Sequence, residues 1–391
     1  MTRAGATGLR MGPTDLLGLA PPRGRARFGA WQIELTSRCP LRCRMCIRQG
    51  DDPWRSRDLA VAEFARIAAG LGDAETVVLQ GWGEPLLHGD LAEIVRIAKG
   101  AAATGRARRG GLPGEAPAVG FVTSGRGLDA ARAAELVAAG LDFLGFSLAG
   151  ATPATHAAIR VHSDLEEVVA AAAHVAAARR RGGRGTPRTH VVFLAVRDNV
   201  AELPAVPALA ARMGCAEIVV TNLVQVVDAW QEAQQVFGRE ERRAYEAVLA
   251  ETERRAAALG IAVRRAALAP APAAVCEEDP LRNLYVGVNG DVSPCVYLAP
   301  PVAGDFTRRF GGRAHRVPRL SFGNALAQPV AAIWDAAPYA AFRERFARRA
   351  RTQRLLAFVP ASWRRRLAGG AGDALPEPPA PCRTCHKLLG A

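Results

Sequence analysis

Residues 35–47 read Leu-Thr-Ser-Arg-Cys-Pro-Leu-Arg-Cys-Arg-Met-Cys-Ile and place three thiols, Cys39, Cys43 and Cys46, within eight residues. Thiolates are soft ligands, and three on one turn can hold three irons of a cubane cluster, leaving the fourth iron open to chemistry. A zinc site or three buried free thiols are the alternatives, although zinc ribbons favour paired Cys-x2-Cys knuckles. Four further thiols form a second constellation: Cys276 and Cys295, with Gly290 between them, then Cys382-x2-Cys385. A hairpin brings the first two together and a C-terminal knuckle adds the others, which gives a closed four-thiolate site for a cluster or for a structural zinc. The eighth cysteine, Cys215, precedes an apolar run and reads as a small buried residue.

Polar residues that could serve a ligand recur between these two groups. The run Gln80-Gly81-Trp82-Gly83-Glu84-Pro85-Leu86 combines glycines, which allow close backbone approach, with a carboxylate that can accept from an ammonium group. Thr123 and Ser124 offer hydroxyls to a ribose or a carboxylate. Ser147 is followed by Arg160, whose planar fork matches a carboxylate bidentately. Asn199, Thr221, Asn222, Trp230 and Gln231 could line the same space or simply pack loops. His88 reads as a histidine at a helix start.

Positioning these groups requires regular elements. Apolar runs at 32–36, 76–80, 119–123, 143–148, 190–196 and 217–223 read as strands, and amphipathic stretches near 58–72, 90–103, 127–140, 164–181, 200–213 and 239–259 read as helices. Alternating units of this kind predict an α/β fold with a parallel sheet. The polar groups above fall at strand C-termini, where parallel barrels place their reactive groups. The stretches 100–117 and 179–188 are rich in Gly and Arg and read as solvated insertions. After a Pro/Ala linker at 267–274, residues 284–288 and 292–297 flank Asn289-Gly290, a strong hairpin signal. A loop at 300–318 and a helix at 330–351 are expected next, before the Pro-rich stretch 375–381. The organisation expected is a loose arm at 1–28, a barrel at 29–262 and a cluster-binding module at 263–391.

Composition narrows the function classes. The 391 residues are 49% hydrophobic and 23% charged, ordinary for a globular protein with one large core or two. No apolar run reaches membrane-spanning length and no signal pattern opens the chain, so a cytoplasmic protein without membrane association is expected. The net charge of +14 would suit nucleic acid, but nearly all of the basic residues are Arg, with Lys99 and Lys387 the only lysines. That bias with abundant Ala and Gly looks like a GC-rich genome, and the basic runs lack interleaved aromatics, so specific nucleic-acid binding is not expected.

The Cys39/Cys43/Cys46 spacing after an apolar strand, with a Gly-Glu-Pro segment one βα unit later, resembles the radical S-adenosylmethionine (SAM) enzymes. Met45 departs from the aromatic residue usual before the third cysteine, yet a thioether can pack against an adenine. Cys276-x13-Gly290-x4-Cys295, with Phe322-Gly323-Asn324 and Ile333-Trp334 after it, resembles the opening of a SPASM domain or of its shorter twitch form. A full SPASM domain would continue with three more cysteines, so the truncated form with one auxiliary cluster is the expectation. The resemblance implies a partial (β/α)6 TIM-like barrel with a small C-terminal hairpin-plus-helix module. It implies a SAM-binding [4Fe-4S] cluster on Cys39, Cys43 and Cys46, and an auxiliary [4Fe-4S] cluster on Cys276, Cys295, Cys382 and Cys385. Gly81, Gly83 and Glu84 would then hold the methionine amino group, and Ser147 and Arg160 its carboxylate. Thr123, Ser124 and Asn222 would line the rest of the SAM site.

The activity implied is reductive cleavage of SAM to a 5′-deoxyadenosyl radical that takes a hydrogen atom from a substrate, with electrons from a reductase such as flavodoxin or ferredoxin. An auxiliary cluster favours net oxidation of a peptide or protein. A small-molecule alcohol dehydrogenase and a non-catalytic iron-sulfur or zinc scaffold that binds a partner are the alternatives. Sulfatase-maturing relatives carry an acid directly after the cysteine that closes the hairpin motif. Val296 stands there, so no general base is assigned; Asp291 and Glu84 are the nearest carboxylates in sequence.

Overall fold

Six parallel strands are built where the sequence alternates apolar runs with amphipathic stretches: β1 (Phe28–Ile33), β2 (Ala74–Val78), β3 (Ala118–Thr123), β4 (Phe143–Leu148), β5 (Arg188–Ala195) and β6 (Glu217–Asn222). The computed structural model describes residues 27–107, 117–359 and 375–391. The expected N-terminal arm lies outside the described residues except for its last two, and the Arg/Gly stretch beyond residue 107 is likewise outside until residue 117.

Helices α1 (Val61–Ala68), α2 (Leu91–Ala107), α3 (Ala130–Ala139), α4 (Pro153–Ile159), α5 (Leu165–Arg181) and α6 (Val206–Arg212) connect the strands, and α7 (Ala229–Gln234) and α8 (Arg242–Ala258) follow β6. Their starts are chemically marked. Asp129 caps α3 by accepting from the Arg132 amide at 2.8 Å, and Asp164 caps α5 through the Glu166 amide at 2.8 Å. In β4 and β5 the residues Leu144, Phe146, Leu148, Val191, Phe193 and Ala195 are buried in the same core as Leu165, Val168 and Ala172 of α5. The alternate residues, Gly145, Ser147, His190 and Val192 among them, therefore face the barrel interior.

The sheet is larger than the six expected strands. A short β7 (Ala262–Arg264) adds in parallel to β6, and β8 (Leu284–Val286) adds in parallel to β1. β8 in turn pairs antiparallel with β9 (Val292–Ser293), giving the order β7-β6-β5-β4-β3-β2-β1-β8-β9. The fold is thus α/β, a partial TIM-like barrel, and the expected hairpin at Asn289-Gly290 continues its sheet.

Two expectations are corrected. The stretch expected as a loop at 300–318 contains an antiparallel hairpin, β10 (Phe306–Phe310) with β11 (Arg313–Val317). The helix expected at 330–351 is two helices, α9 (Val330–Asp335) and α10 (Ala337–Ala357), because Ala336 is extended and Pro338 suits only a first turn. The stretch at 100–117 opens in helix, as α2 runs on to Ala107, and α5 continues to Arg181 before a largely exposed turn.

Candidate radical-chemistry site

The chain leaves β1 at Ile33, earlier than the apolar run suggests, and passes through bends at Leu35 and Ser37 toward the first thiols. Thr36 donates to Asp58 at 2.6 Å, Arg38 pairs with the same carboxylate, and the Ser37 hydroxyl donates to the Arg55 carbonyl at 2.7 Å. The cysteine loop is then bonded from several sides. Arg42 and Arg44 donate their amides to the carbonyls of Val161 and Ile159, at 3.0 and 2.9 Å. Arg48 donates to the Cys39 carbonyl at 2.9 Å and Gln49 to that of Cys43 at 3.1 Å. Gln231, fully buried, donates to the carbonyls of Arg44 and Cys46 at 2.9 and 3.0 Å. The Arg44 guanidinium stacks 3.9 Å over the Trp230 ring. Trp230 and Gln231 therefore hold the loop from the β6 side, so the alternative of loop packing is the one realised.

Cys39, Cys43 and Cys46 are close enough to sense one another's charge. Burial pushes the Cys46 thiol up to about 11, with Cys43 and Cys39 adding to the rise, and it raises Cys39 as well. Iron would have to displace protons from such thiols. Among the described residues no three His, Cys, Asp or Glu side chains crowd as tightly as one metal ion requires. A cubane, which takes one thiolate on each iron, asks for a wider spread.

The Gly-Glu-Pro segment lies directly against this loop. A Cβ on Gly83 would run into the carbonyl oxygens of Thr36 and Arg38, and one on Gly81 into the Glu34 side chain. Only glycine lets the ends of β1 and β2 come this close. Glu84 is buried, and its carboxylate accepts from Thr123 Oγ1 at 2.6 Å, from the Ser124 amide at 2.8 Å and from the Leu86 amide at 3.2 Å. It thus clamps the end of β2 to the end of β3. About four lone-pair directions are available to a carboxylate, so room is left for a ligand's ammonium.

Ser124 Oγ, Arg160 Nε and Asn222 Oδ1 are buried polar atoms with no hydrogen-bond partner in the protein. They come from the ends of β3, α4 and β6, and all three belong to residues expected to line the site. Buried polar groups are ordinarily paired, so this set fits an absent polar ligand such as SAM. Ser147 stands half-buried one residue before the end of β4.

Beneath Arg160, the fully buried His156 bonds Ser163 through Nε2 at 2.9 Å. Burial and then the Arg160 charge push its pKa down to about 4, so it stays neutral beside the guanidinium. Neither His156 nor Gln231 carries a local motif that marks this supporting role.

Other expected residues are occupied elsewhere. The Asn199 amide donates to the carbonyls of Ala149 and Leu194, both at 3.0 Å, and accepts from the Val196 amide at 2.8 Å. It joins the ends of β4 and β5, and both of its amide donors are used within the protein. His88 bonds the Leu59 carbonyl at 2.9 Å and the Asp90 amide at 3.2 Å, as a helix-start residue does. Asp291 is paired with Arg319 at 2.8 Å. Thr221 lies within β6, and Cys215 is buried in the main core with its thiol raised to about 11 by burial.

The four remaining cysteines meet. Cys276, Cys295, Cys382 and Cys385 line one small cavity together with Glu278, Tyr297 and Lys387. Burial pushes Cys276 up to about 12, and Cys295 and Cys382 well above the usual thiol range. Tyr297 and its neighbour join this cavity to the Gly-Glu-Pro segment: Trp82 Nε1 donates to the Val296 carbonyl at 3.2 Å, and the Trp82 ring meets Tyr297 edge-on at 5.8 Å.

A partial barrel whose first strand leads to three thiols at its C-terminal rim, and whose sheet is extended by a hairpin flanked by two of four more, is the arrangement of a radical SAM core with an appended iron-sulfur module. The sequence comparisons agree: the radical SAM superfamily profile matches residues 33–199, and the iron-sulfur cluster-binding SPASM domain matches residues 276–354. Residues 33–199 therefore carry a radical SAM domain, whose family cofactors are a [4Fe-4S] cluster and S-adenosylmethionine, and residues 276–354 carry an iron-sulfur cluster-binding SPASM domain.

Among curated proteins it is similar to the PqqA peptide cyclase of Streptomyces rochei, 33% identical over 49% of this chain and 47% of that protein. It therefore spans about half the length of that relative. A tungsten-containing aldehyde ferredoxin oxidoreductase cofactor-modifying protein of Pyrococcus furiosus is 25% identical over 80% of this chain and 82% of its own. Among solved structures, Streptococcus suis SuiB bound to its precursor peptide SuiA aligns with TM-score 0.56 and 13% identity, over 93% of this chain and 71% of SuiB. The anSMEcpe protein with bound AdoMet aligns with TM-score 0.58 and 13% identity, over 81% and 83%. At these identities the structures speak for the fold alone. Among the described residues no helix is long and apolar enough to cross a membrane.

Proposed function

We propose that this protein cleaves S-adenosylmethionine reductively and uses the resulting radical to modify a peptide or protein oxidatively. The observation that carries the reading is the set of unpaired buried atoms, Ser124 Oγ, Arg160 Nε and Asn222 Oδ1, at the barrel rim beside the three-thiol loop. When bound, the reduced cluster supplies the electron that splits the sulfonium into methionine and a 5′-deoxyadenosyl radical. The residues of this chain do the rest. Cys39, Cys43 and Cys46 ligate three irons, and Gln231, Arg48 and Gln49 hold the loop that carries them. The backbone of Gly81 to Gly83 and the remaining capacity of Glu84 take the amino group of SAM. Arg160 and Ser147 take its carboxylate, while Thr123, Ser124 and Asn222 border the nucleoside. Cys276, Cys295, Cys382 and Cys385 would hold one auxiliary cluster, which would supply an electron acceptor for a net oxidation.

A peptide substrate is favoured by the similarity to PqqA peptide cyclases and by the shared fold of SuiB, which has been solved with its precursor peptide. Eight cysteines without a disulfide suit a cytoplasmic enzyme served by a flavodoxin or ferredoxin reductase. The test is anaerobic reconstitution followed by iron and sulfide analysis and measurement of 5′-deoxyadenosine after dithionite reduction. About eight irons per chain with deoxyadenosine release is expected for two four-iron clusters. Zinc in place of iron, or two clusters without cleavage under any reductant, would leave a binding scaffold instead.

A further inference from the structure

A positive charge without a counter-ion lies beside the auxiliary cysteines. Arg308, in the β10–β11 hairpin, is 0% exposed. Its Nε donates to Gln225 Oε1 at 3.1 Å, and its two terminal nitrogens donate to the carbonyls of Pro381 at 3.1 Å and Tyr297 at 2.8 Å. All three acceptors are neutral, and among the described residues no carboxylate pairs with it. A guanidinium does not shed its proton when buried, and a buried charge ordinarily has a partner of opposite sign.

The position of Arg308 indicates where that partner belongs. The Pro381 carbonyl is part of the peptide leading into Cys382, and Tyr297 follows Cys295 by two residues. The cation that lines the cysteine cavity itself, Lys387, is already paired, with Glu277 at 2.9 Å and Glu278 at 4.0 Å.

We propose that Arg308 is the built-in countercharge of the auxiliary cluster and raises its reduction potential. The inference rests on the ligation of that cluster by Cys276, Cys295, Cys382 and Cys385 proposed above. Reduction adds one electron, and hence one negative charge, to a buried four-thiolate site. A fixed cation in a low-dielectric setting stabilises the reduced form more than the oxidised one. The same charge makes the cluster a better acceptor of the electron that a substrate radical gives up on oxidation. Arg308 acts through the cluster's field and touches no substrate.

The experiment is a potentiometric titration of the reconstituted full-length protein followed by electron paramagnetic resonance, with and without S-adenosylmethionine, which perturbs only the SAM-binding cluster and so separates the two signals. Arg308→Gln is expected to move the auxiliary midpoint to lower potential by an equilibrium factor of about tenfold or more, about 59 mV for a one-electron couple. Arg308→Lys, which keeps the charge and gives up the forked hydrogen bonds, is expected to stay close to the unmodified protein. An unchanged potential in Arg308→Gln, or an equal shift in both variants, overturns the proposal. If Arg308→Gln fails to assemble the auxiliary cluster, Arg308→Lys decides: assembly with a near-normal potential supports the countercharge, and failure of both overturns it. An unmodified protein with no second cluster refutes the ligation itself and this inference with it.

Discussion

Replacing Glu34 with glutamine isolates the energetic effect of one buried charge where the two halves of the protein meet. Glu34 is 1% exposed, and burial pushes its pKa from 4.5 up to about 7, against hydrogen bonds from the Trp82 and Val288 amides and the field of Arg319. In the unfolded chain the carboxyl ionises near its ordinary value, whereas in the folded protein it stays protonated until near neutrality. The stability this confers is fully present below pH 4.5 and is lost as pH rises through 7. At about 1.4 kcal/mol per unit, the loss comes to roughly 3 kcal/mol. Glutamine is neutral throughout and keeps an acceptor for the Trp82 amide, which lies 2.7 Å from Glu34 Oε1. Denaturant unfolding of the unmodified protein and of Glu34→Gln at pH 5 and pH 8 gives a double difference from which any pH-independent cost of the substitution cancels. Because part of the loss has already occurred at pH 5, the variant should gain about 2.5 kcal/mol relative to the unmodified protein between the two pH values. Parallel pH dependences in the two proteins would refute the argument, because they would mean that Glu34 does not change its proton occupancy on folding.

Three further outcomes follow from the site. Gly83→Ala forces a methyl into the carbonyls of Thr36 and Arg38; a loss of about 1–3 kcal/mol in stability is expected from overpacking, read as a lower melting temperature and reduced iron loading at the three-thiol loop. Arg160→Ala removes a charged donor from the proposed carboxylate site, and at about 1.5–3 kcal/mol for such a bond the dissociation constant for SAM should rise roughly tenfold or more, measured by equilibrium dialysis on the reconstituted enzyme. Cys382→Ala should remove the auxiliary cluster and leave the SAM-binding cluster and its response to SAM intact, as seen by iron analysis and electron paramagnetic resonance; loss of both clusters together would contradict two independent sites.

The sheet was legible where strands are apolar on at least one face. β4 runs over Phe143–Leu148, the bounds expected from the sequence, because its run is apolar except for Ser147 and ends at a glycine-containing turn. The additions at the edges were not legible. β7 is three residues long with Ala262 and Arg264 exposed, and it becomes a strand only by pairing with β6. The β10–β11 hairpin is rich in arginine, and its apolar content is confined to its ends. It folds because Arg308 satisfies three distant acceptors and because the Arg309 amide bonds the Val226 carbonyl at 2.8 Å, contacts without a local signature. The same distinction sorts the polar residues. Spacing singles out Gly83 and Glu84 one βα unit after the cysteines, but Asn199 and Asn222, both near strand ends, look alike in sequence. Only the fold shows the first with both amide donors and its oxygen bonded and the second with an unpaired oxygen.

The two cysteine groups are separated by more than two hundred residues of sequence, yet one carboxylate and one indole join their supports. Glu34 follows the strand that feeds the first thiols, and its oxygens accept from Trp82 in the Gly-Glu-Pro segment and from Val288 in the hairpin that leads to Cys295. Trp82 in turn donates to the carbonyl of Val296, the residue after that cysteine. Since β8 also hydrogen-bonds directly to β1, the hairpin is a sheet neighbour of the strand that carries the cysteine loop. Regular sheet pairing fixes such a separation far more tightly than a flexible linker does, and electron transfer between a substrate radical and an auxiliary cluster depends on separation. Buried Glu34 is therefore part of how this chain keeps its two cysteine groups in register, and the pH titration of that one side chain reads the join directly.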